Sequence, residues 1–129
     1  MAHNAQSASI LRQNIEKALK KNQVIMIVAM LKDKDHERFL SNLAPCADIM
    51  CLAGLDTDRG ATGRELELAA ETSQMDTEVM VFDRILDALS WAGTHALTDD
   101  VIVITGSFIT VGMAIEYFNL ENQHIGTTS

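Results

Sequence analysis

The sequence predicts an α/β domain: a mostly parallel, Rossmann-like sheet of about four strands with helices on both faces. Three observations predict it. Apolar runs rich in β-branched residues, above all VIMIVAML at 24–31, show no polar alternation, the pattern of strands buried on both sides. Between these runs, apolar residues recur at helical spacing. The two patterns alternate along the chain, as right-handed βαβ crossovers require. The 129 residues suffice for one such core, since single domains commonly run to roughly 100–150 residues.

Each element has its own warrant. Ile10, Leu11, Ile15, Ala18 and Leu19 share one helical face, with Arg12, Glu16, Lys17, Lys20 and Lys21 opposite. Ser7 or Ser9 is placed to cap that helix, and Lys20 and Lys21 suit its negative C-terminal end. Val24–Leu31 is the first strand. Asp35–Leu43 is a short helix in which Asp35 can serve as the cap. Asp48–Leu55 is a second strand, Arg64–Ser73 a second short helix and Glu78–Phe82 a third strand. Asp83–Gly93 is a helix with Ile85, Leu86, Leu89 and Trp91 available for packing. Val101–Thr105 is a fourth strand, followed by a helix over Thr110–Phe118. No repeat or linker interrupts the pattern. Residues 1–120 are therefore expected to form the domain, and residues 121–129 a polar, frayed tail.

Composition excludes several classes. Hydrophobic residues make up 47% and charged residues 22%, which is globular composition and not that of a disordered chain. The longest apolar run has eight residues, against about 20 for a membrane-spanning helix. The N-terminus lacks the basic-then-apolar pattern of a secretory signal, so the expected location is cytoplasmic. A net charge of −8 opposes nonspecific nucleic-acid binding. That charge is uneven: residues 1–34 hold six basic and two acidic residues, the remainder four and 16. A positive region on an acidic body suits a small anion, although uneven surface charge is also ordinary. Cys46 and Cys51 form no CxxC pair, and no histidine stands at zinc-site spacing, so no metal site is expected.

Ligands of such sheets bind beyond the carboxyl ends of the strands. After the first strand comes Lys32-Asp33-Lys34-Asp35, where Lys34 can act as a point charge on a phosphate or carboxylate. After the second, Asp56–Gly63 offers Arg59 between turn-forming glycines, although surface loops often look like this. After the fourth, Gly106-Ser107-Phe108-Ile109-Thr110 opens a helix. Its N–H groups can meet an anion, or Ser107 or Thr110 can simply cap it. His3 and Asn4 read by position as tail. There is no GxxxxGK[ST] phosphate loop, no GxGxxG, no GxSxG and no HExxH. A self-contained nucleotide-using enzyme is hard to build from this chain.

The residues also resemble a known family. AHNAQSASILRQNI resembles the segment that opens the C-terminal domain of folylpolyglutamate and dihydrofolate synthases, members of the Mur ligase superfamily. VIMIVAMLKDKD resembles their strand and DKD loop, LDTDRGATGREL their Pro-Arg-Ala segment, and VIVITGSFITVGMAIEYF their closing strand and helix. Order and spacing match over almost the whole chain. The departures are Met1 at a glycine position, Ala5 for proline, Ala29 for glycine, and Gly60 in the Pro-Arg-Ala match.

The resemblance implies ATP-dependent amide ligation. A pterin substrate's carboxylate is phosphorylated, and the amine of L-glutamate attacks the acyl phosphate. It implies that His3 and Asn4 lie by ATP, with His3 and Lys34 in the catalytic machinery. Lys34 and Ser107 would lie by the glutamate, with Asp33, Asp35 and Arg59 positioning the loops. In that family the N-terminal and central domains carry the phosphate loop, the Mg2+ ligands and most of the folate cleft. The expected function is thus that of a C-terminal ligase domain of a folylpolyglutamate or dihydrofolate synthase. It would be inactive alone, bind no cofactor tightly alone, and work with an N-terminal ligase portion. The alternative is a noncatalytic α/β binding or interaction module derived from that domain. In the family a further strand precedes Ala-His-Asn. Its absence predicts either an interior gap in the sheet or neighbours that close together or drift apart, with a tendency to self-associate.

Overall fold

The structure, a computed structural model, describes residues 8–9, 23–107 and 126–127. Strand β1 (Val24–Val28) is followed by helix α1 (His36–Leu43), a 3-10 turn (Ala44–Cys46) and β2 (Ile49–Ala53). Helix α2 (Gly63–Thr72), β3 (Glu78–Phe82), α3 (Ile85–His95), β4 (Val101–Thr105) and the two-residue β5 (Gly126–Thr127) complete the order. All pairings are parallel, in the spatial order β3-β2-β1-β4-β5.

The alternation of side chains along each strand divides the core into two layers. Met26 and Val28 of β1 and Met50 and Leu52 of β2 pack on Phe39, Leu40 and Leu43 of α1 and on Leu66, Ala69 and Ala70 of α2. Ala8 is buried in the same layer. On the opposite face Ile25, Ile27, Cys51, Ile102 and Ile104 meet Ile85, Ala88, Leu89 and Ala92 of α3. The chain steps outward from β1 to β3 over one face. It then returns over the other face to place β4 on the far side of β1. The strand order therefore reverses between β1 and β4, which is the topological switch point of the sheet.

The third and fourth strands have the expected bounds. Helix α1 begins one residue later than expected because Asp35 is its cap, its Oδ1 accepting from the Arg38 N–H at 3.3 Å. In α3 the core-facing set is Ile85, Ala88, Leu89 and Ala92, and Leu86 is instead exposed. Trp91 is a rim residue, 6.2 Å from the Phe82 ring and stacked on His95 at 4.5 Å. Burial, with a contribution from Glu78, pushes the Cys51 thiol up to about 12, so it is an inert core residue.

Of the alternatives for the sheet, the structure has the neighbours closing together: β1 and β4 pair in register over five residues from Val24↔Val101 to Val28↔Thr105, with no interior gap. One expectation needs correction. Gly126 and Thr127, in the stretch expected to be a frayed tail, add β5 to the free side of β4. A polar sequence gives little strand signal, yet backbone pairing to a parallel edge needs none. The expected helices over 10–21 and Thr110–Phe118 lie outside the described residues, apart from helical Ala8 and Ser9 ahead of the first.

Helix α2 carries a full capping box. Thr62 accepts from the Glu65 N–H at 3.0 Å, and Glu65 accepts from the Thr62 N–H at 3.1 Å. That backbone hydrogen bond is the main reason the Glu65 carboxyl titrates below its ordinary value; Lys32 and His36 lower it further. A lowered folded-state pKa stabilises the fold above the unfolded value of 4.5, and this contribution is lost as pH falls. Amide exchange in the first turn of α2 is therefore expected to accelerate as pH drops below 4.5, relative to the intrinsic rate. Glu65→Gln should abolish that pH-dependent component. A first turn equally protected at pH 5 and pH 3 would count against it.

Candidate functional site

The site is built beyond the carboxyl ends of β1 and β2, where α1 and α2 lie side by side. Two loops leave the carboxyl ends of β1 and β2 and join. Leu31 and Gly60 form an antiparallel bridge. The Ala61 N–H donates to the Met30 carbonyl at 2.8 Å, and the Lys32 N–H to the Arg59 carbonyl at 2.6 Å. The second loop folds back on itself: the Leu55 N–H donates to the Ala61 carbonyl at 3.1 Å. A side chain at Gly60 would overlap the Leu55 carbonyl, so this ribbon requires glycine there.

The turn that follows carries Lys32, Asp33 and Lys34 and ends on the Asp35 cap. Lys32, Asp33 and Asp35 are exposed, whereas Lys34 is half-buried. Lys34 and Asp35 line a groove of about 420 Å³ with Lys32, His36 and Glu37 on one side and Glu65, Leu68, Ala69 and Thr72 of α2 on the other. Its ionisable lining mixes Lys32 and Lys34 with Asp35, Glu37 and Glu65, so it suits a ligand bearing both signs of charge. Lys32 also lines a second groove of about 350 Å³, which runs past Gly54–Asp58 to Asp83 and Arg84. Arg59 is exposed, and among the described residues it forms no ion pair.

Beyond the adjacent strand, Gly106 has a φ of +126°, and a side chain there would overlap the Ala29 carbonyl. The two strand ends thus meet backbone to backbone. Lys34 and Ser107 do follow the carboxyl ends of neighbouring parallel strands, on one edge of the sheet. The expectation that both are solvent-accessible and converge on one cleft is not met. Ser107 is only 4% exposed and does not line the Lys34 groove. Ser107 directly follows Gly106, whose backbone lies against the Ala29 carbonyl. His3 and Asn4 lie outside the described residues.

Lys32 and His36 belong to the site and were not singled out in the sequence. The available signal was their position: both flank Asp33-Lys34-Asp35 at a strand's carboxyl end. Among the described residues no group of three or more His, Cys, Asp or Glu could hold a metal ion, and no helix is long and apolar enough to cross a membrane.

Comparisons with known proteins converge. Residues 1–108 match the family described as Mur ligase, glutamate ligase domain. The chain is 31% identical over 114 residues to the dihydrofolate synthase/folylpolyglutamate synthase of Buchnera aphidicola, covering 86% of this chain and 25% of that protein. It is 29% identical over 116 residues to the Escherichia coli enzyme of the same name, covering 90% and 26%. It therefore spans about a quarter of the length of the curated relatives it matches. Among solved structures, E. coli FolC in complex with DHPP and ADP superposes with a TM-score of 0.81 at 28% identity, over 95% of this chain and 28% of that one. The Mycobacterium tuberculosis folylpolyglutamate synthase complexed with ADP and AMPPCP gives a TM-score of 0.76 at 26% identity, over 97% and 29%. A Yersinia pestis bifunctional folylpolyglutamate synthase/dihydrofolate synthase complexed with AMPPNP and Mn gives 0.75 at 28% identity, over 92% and 27%. The parallel sheet reversing at β1/β4, the Lys32–Asp35 turn at its carboxyl edge and the match over residues 1–108 agree: the chain belongs to the Mur ligase family, as its glutamate ligase domain.

Proposed function

We propose that this chain serves as the C-terminal domain of an ATP-dependent ligase that joins L-glutamate to the carboxylate of a folate or pteroate. The observation that carries the reading is Lys34. It is a half-buried lysine on the turn after β1, in the groove between α1 and α2, in a chain of this family. In the first step a substrate carboxylate oxygen bonds to the γ-phosphorus of ATP and ADP leaves, giving an acyl phosphate. In the second, the glutamate nitrogen bonds to the acyl carbon, inorganic phosphate leaves with the bonding pair, and the nitrogen loses its extra proton. Negative charge is concentrated on phosphoryl oxygens in both steps. A fixed ammonium at that point lowers both barriers.

Lys34 is assigned to that role and to the incoming glutamate. Asp35 and Asp33 orient its turn, and Arg59 does so from the partner loop whose carbonyl receives the Lys32 N–H. His3 and Asn4 are assigned to ATP. Ser107 is assigned to the glutamate by its position on the neighbouring strand end; its burial leaves Lys34 as the residue on which the reading rests. The Mg2+ ligands and the phosphate loop are assigned, by the family resemblance, to a partner N-terminal ligase portion.

The test pairs the chain alone with a chimera in which it replaces the matched quarter of the E. coli enzyme. The chain alone is expected to show no glutamate-dependent ADP release, because this chemistry needs several parts positioned at once. The chimera is expected to release ADP only when both folate substrate and glutamate are present. A folded chimera that binds ATP yet forms no amide would instead favour a noncatalytic module.

A further inference from the structure

The turn bearing Lys34 has few ties of its own. Its entry is held by the Lys32 N–H to the Arg59 carbonyl, and its exit by the Asp35 cap of α1. Between these points residues 32–33 form a turn. One further bond spans the turn. The His36 imidazole Nε2 lies 2.9 Å from the Leu31 carbonyl, five residues back. A carbonyl only accepts, so Nε2 carries the proton and donates. The Leu31 carbonyl is not used by the ribbon, whose bonds run through Met30 and Lys32. His36 therefore donates to the carbonyl at which the turn over residues 32–33 opens, and it lines the same groove as Lys34.

We propose that His36 is a positioning residue. Its bond to Leu31 closes the 31–36 segment into a ring and holds the Lys34 ammonium where the ligation chemistry uses it. This inference rests on the proposed ligase function, but the strap itself is a property of the chain alone. A displacement of about 1 Å at a reacting group can cost 10²-fold in rate. An untied turn is thus expected to cost activity without costing the fold.

The test has two arms. In the isolated chain, His36→Ala should speed exchange of the Lys32 amide, which donates to the Arg59 carbonyl, at least tenfold and leave exchange in β1 and β4 unchanged. His36→Gln, which keeps a side-chain N–H donor, should restore part of the protection, and His36→Phe, which keeps the ring without a donor, should not. In the chimera, His36→Ala should lower kcat about tenfold, and the double variant with Lys34→Ala should be no slower than Lys34→Ala alone. That non-additivity is the readout a purely structural role would not give. Unchanged exchange in His36→Ala overturns the strap. Faster exchange with fully additive kinetic losses overturns the positioning role. A silent Lys34→Ala in an active chimera overturns the catalytic assignment of Lys34, and the positioning role with it. The exchange arm, unaffected by that outcome, still reports whether the strap exists.

Discussion

Replacing Gly106 with alanine is expected to destabilise the domain by more than about 3 kcal/mol. Two costs combine. The backbone at Gly106 has φ +126°, a region that residues with a Cβ rarely occupy. The added carbon would also overlap the Ala29 carbonyl oxygen on the neighbouring strand end. Neither cost relaxes easily, because β1 and β4 are locked in register just below, through Val28↔Thr105. A domain of this size has only about 5–15 kcal/mol in total. The change should therefore lower the urea midpoint sharply, and much of the purified chain should be partly unfolded at 37 °C. A midpoint within experimental error of the parent would show that the strand ends can part without cost.

Lys34→Ala should act in the opposite sense, on chemistry and not on stability. In the chimera we expect kcat to fall by about 10²–10³-fold, the size of effect seen when one preorganised charge-stabilising donor is removed. The melting temperature should move little, since Lys34 takes part in no ion pair among the described residues. Lys34→Arg keeps the charge but spreads it over a larger planar group, so it should recover only part of the rate. A Lys34→Ala chimera with parental kcat would remove the residue from the mechanism.

The strands and helices were legible because their causes are local. Val101–Thr105 and Glu78–Phe82 are apolar, β-branched runs between polar turns, and the strands have those bounds. Asp35 was legible as a cap because a carboxylate before a short amphipathic stretch has few other roles. What was not legible depends on contacts between distant residues. Nothing in Gly106-Ser107 announces that the glycine lies against Ala29, so the burial of Ser107 could not be read. Nothing in Leu31 or Gly60 announces that they pair, and this pairing is what gives Lys32 a wall of two grooves. Whether β1 and β4 would pair or leave a gap stayed open for the same reason. Apolar runs state that strands are buried, not which strands are neighbours.

The ribbon between the two loops also has a mechanical consequence. Met30 is tied to Ala61 and Lys32 to Arg59, so segments about thirty residues apart in the chain are sewn into one piece. A force applied to either loop is transmitted to the other through short hydrogen bonds instead of being absorbed by slack backbone. If this domain swings toward a partner domain during turnover, the groove walls travel together and arrive with their spacing unchanged. The hinge for such a swing then has to lie outside the ribbon, and insertions that lengthen either loop should loosen both.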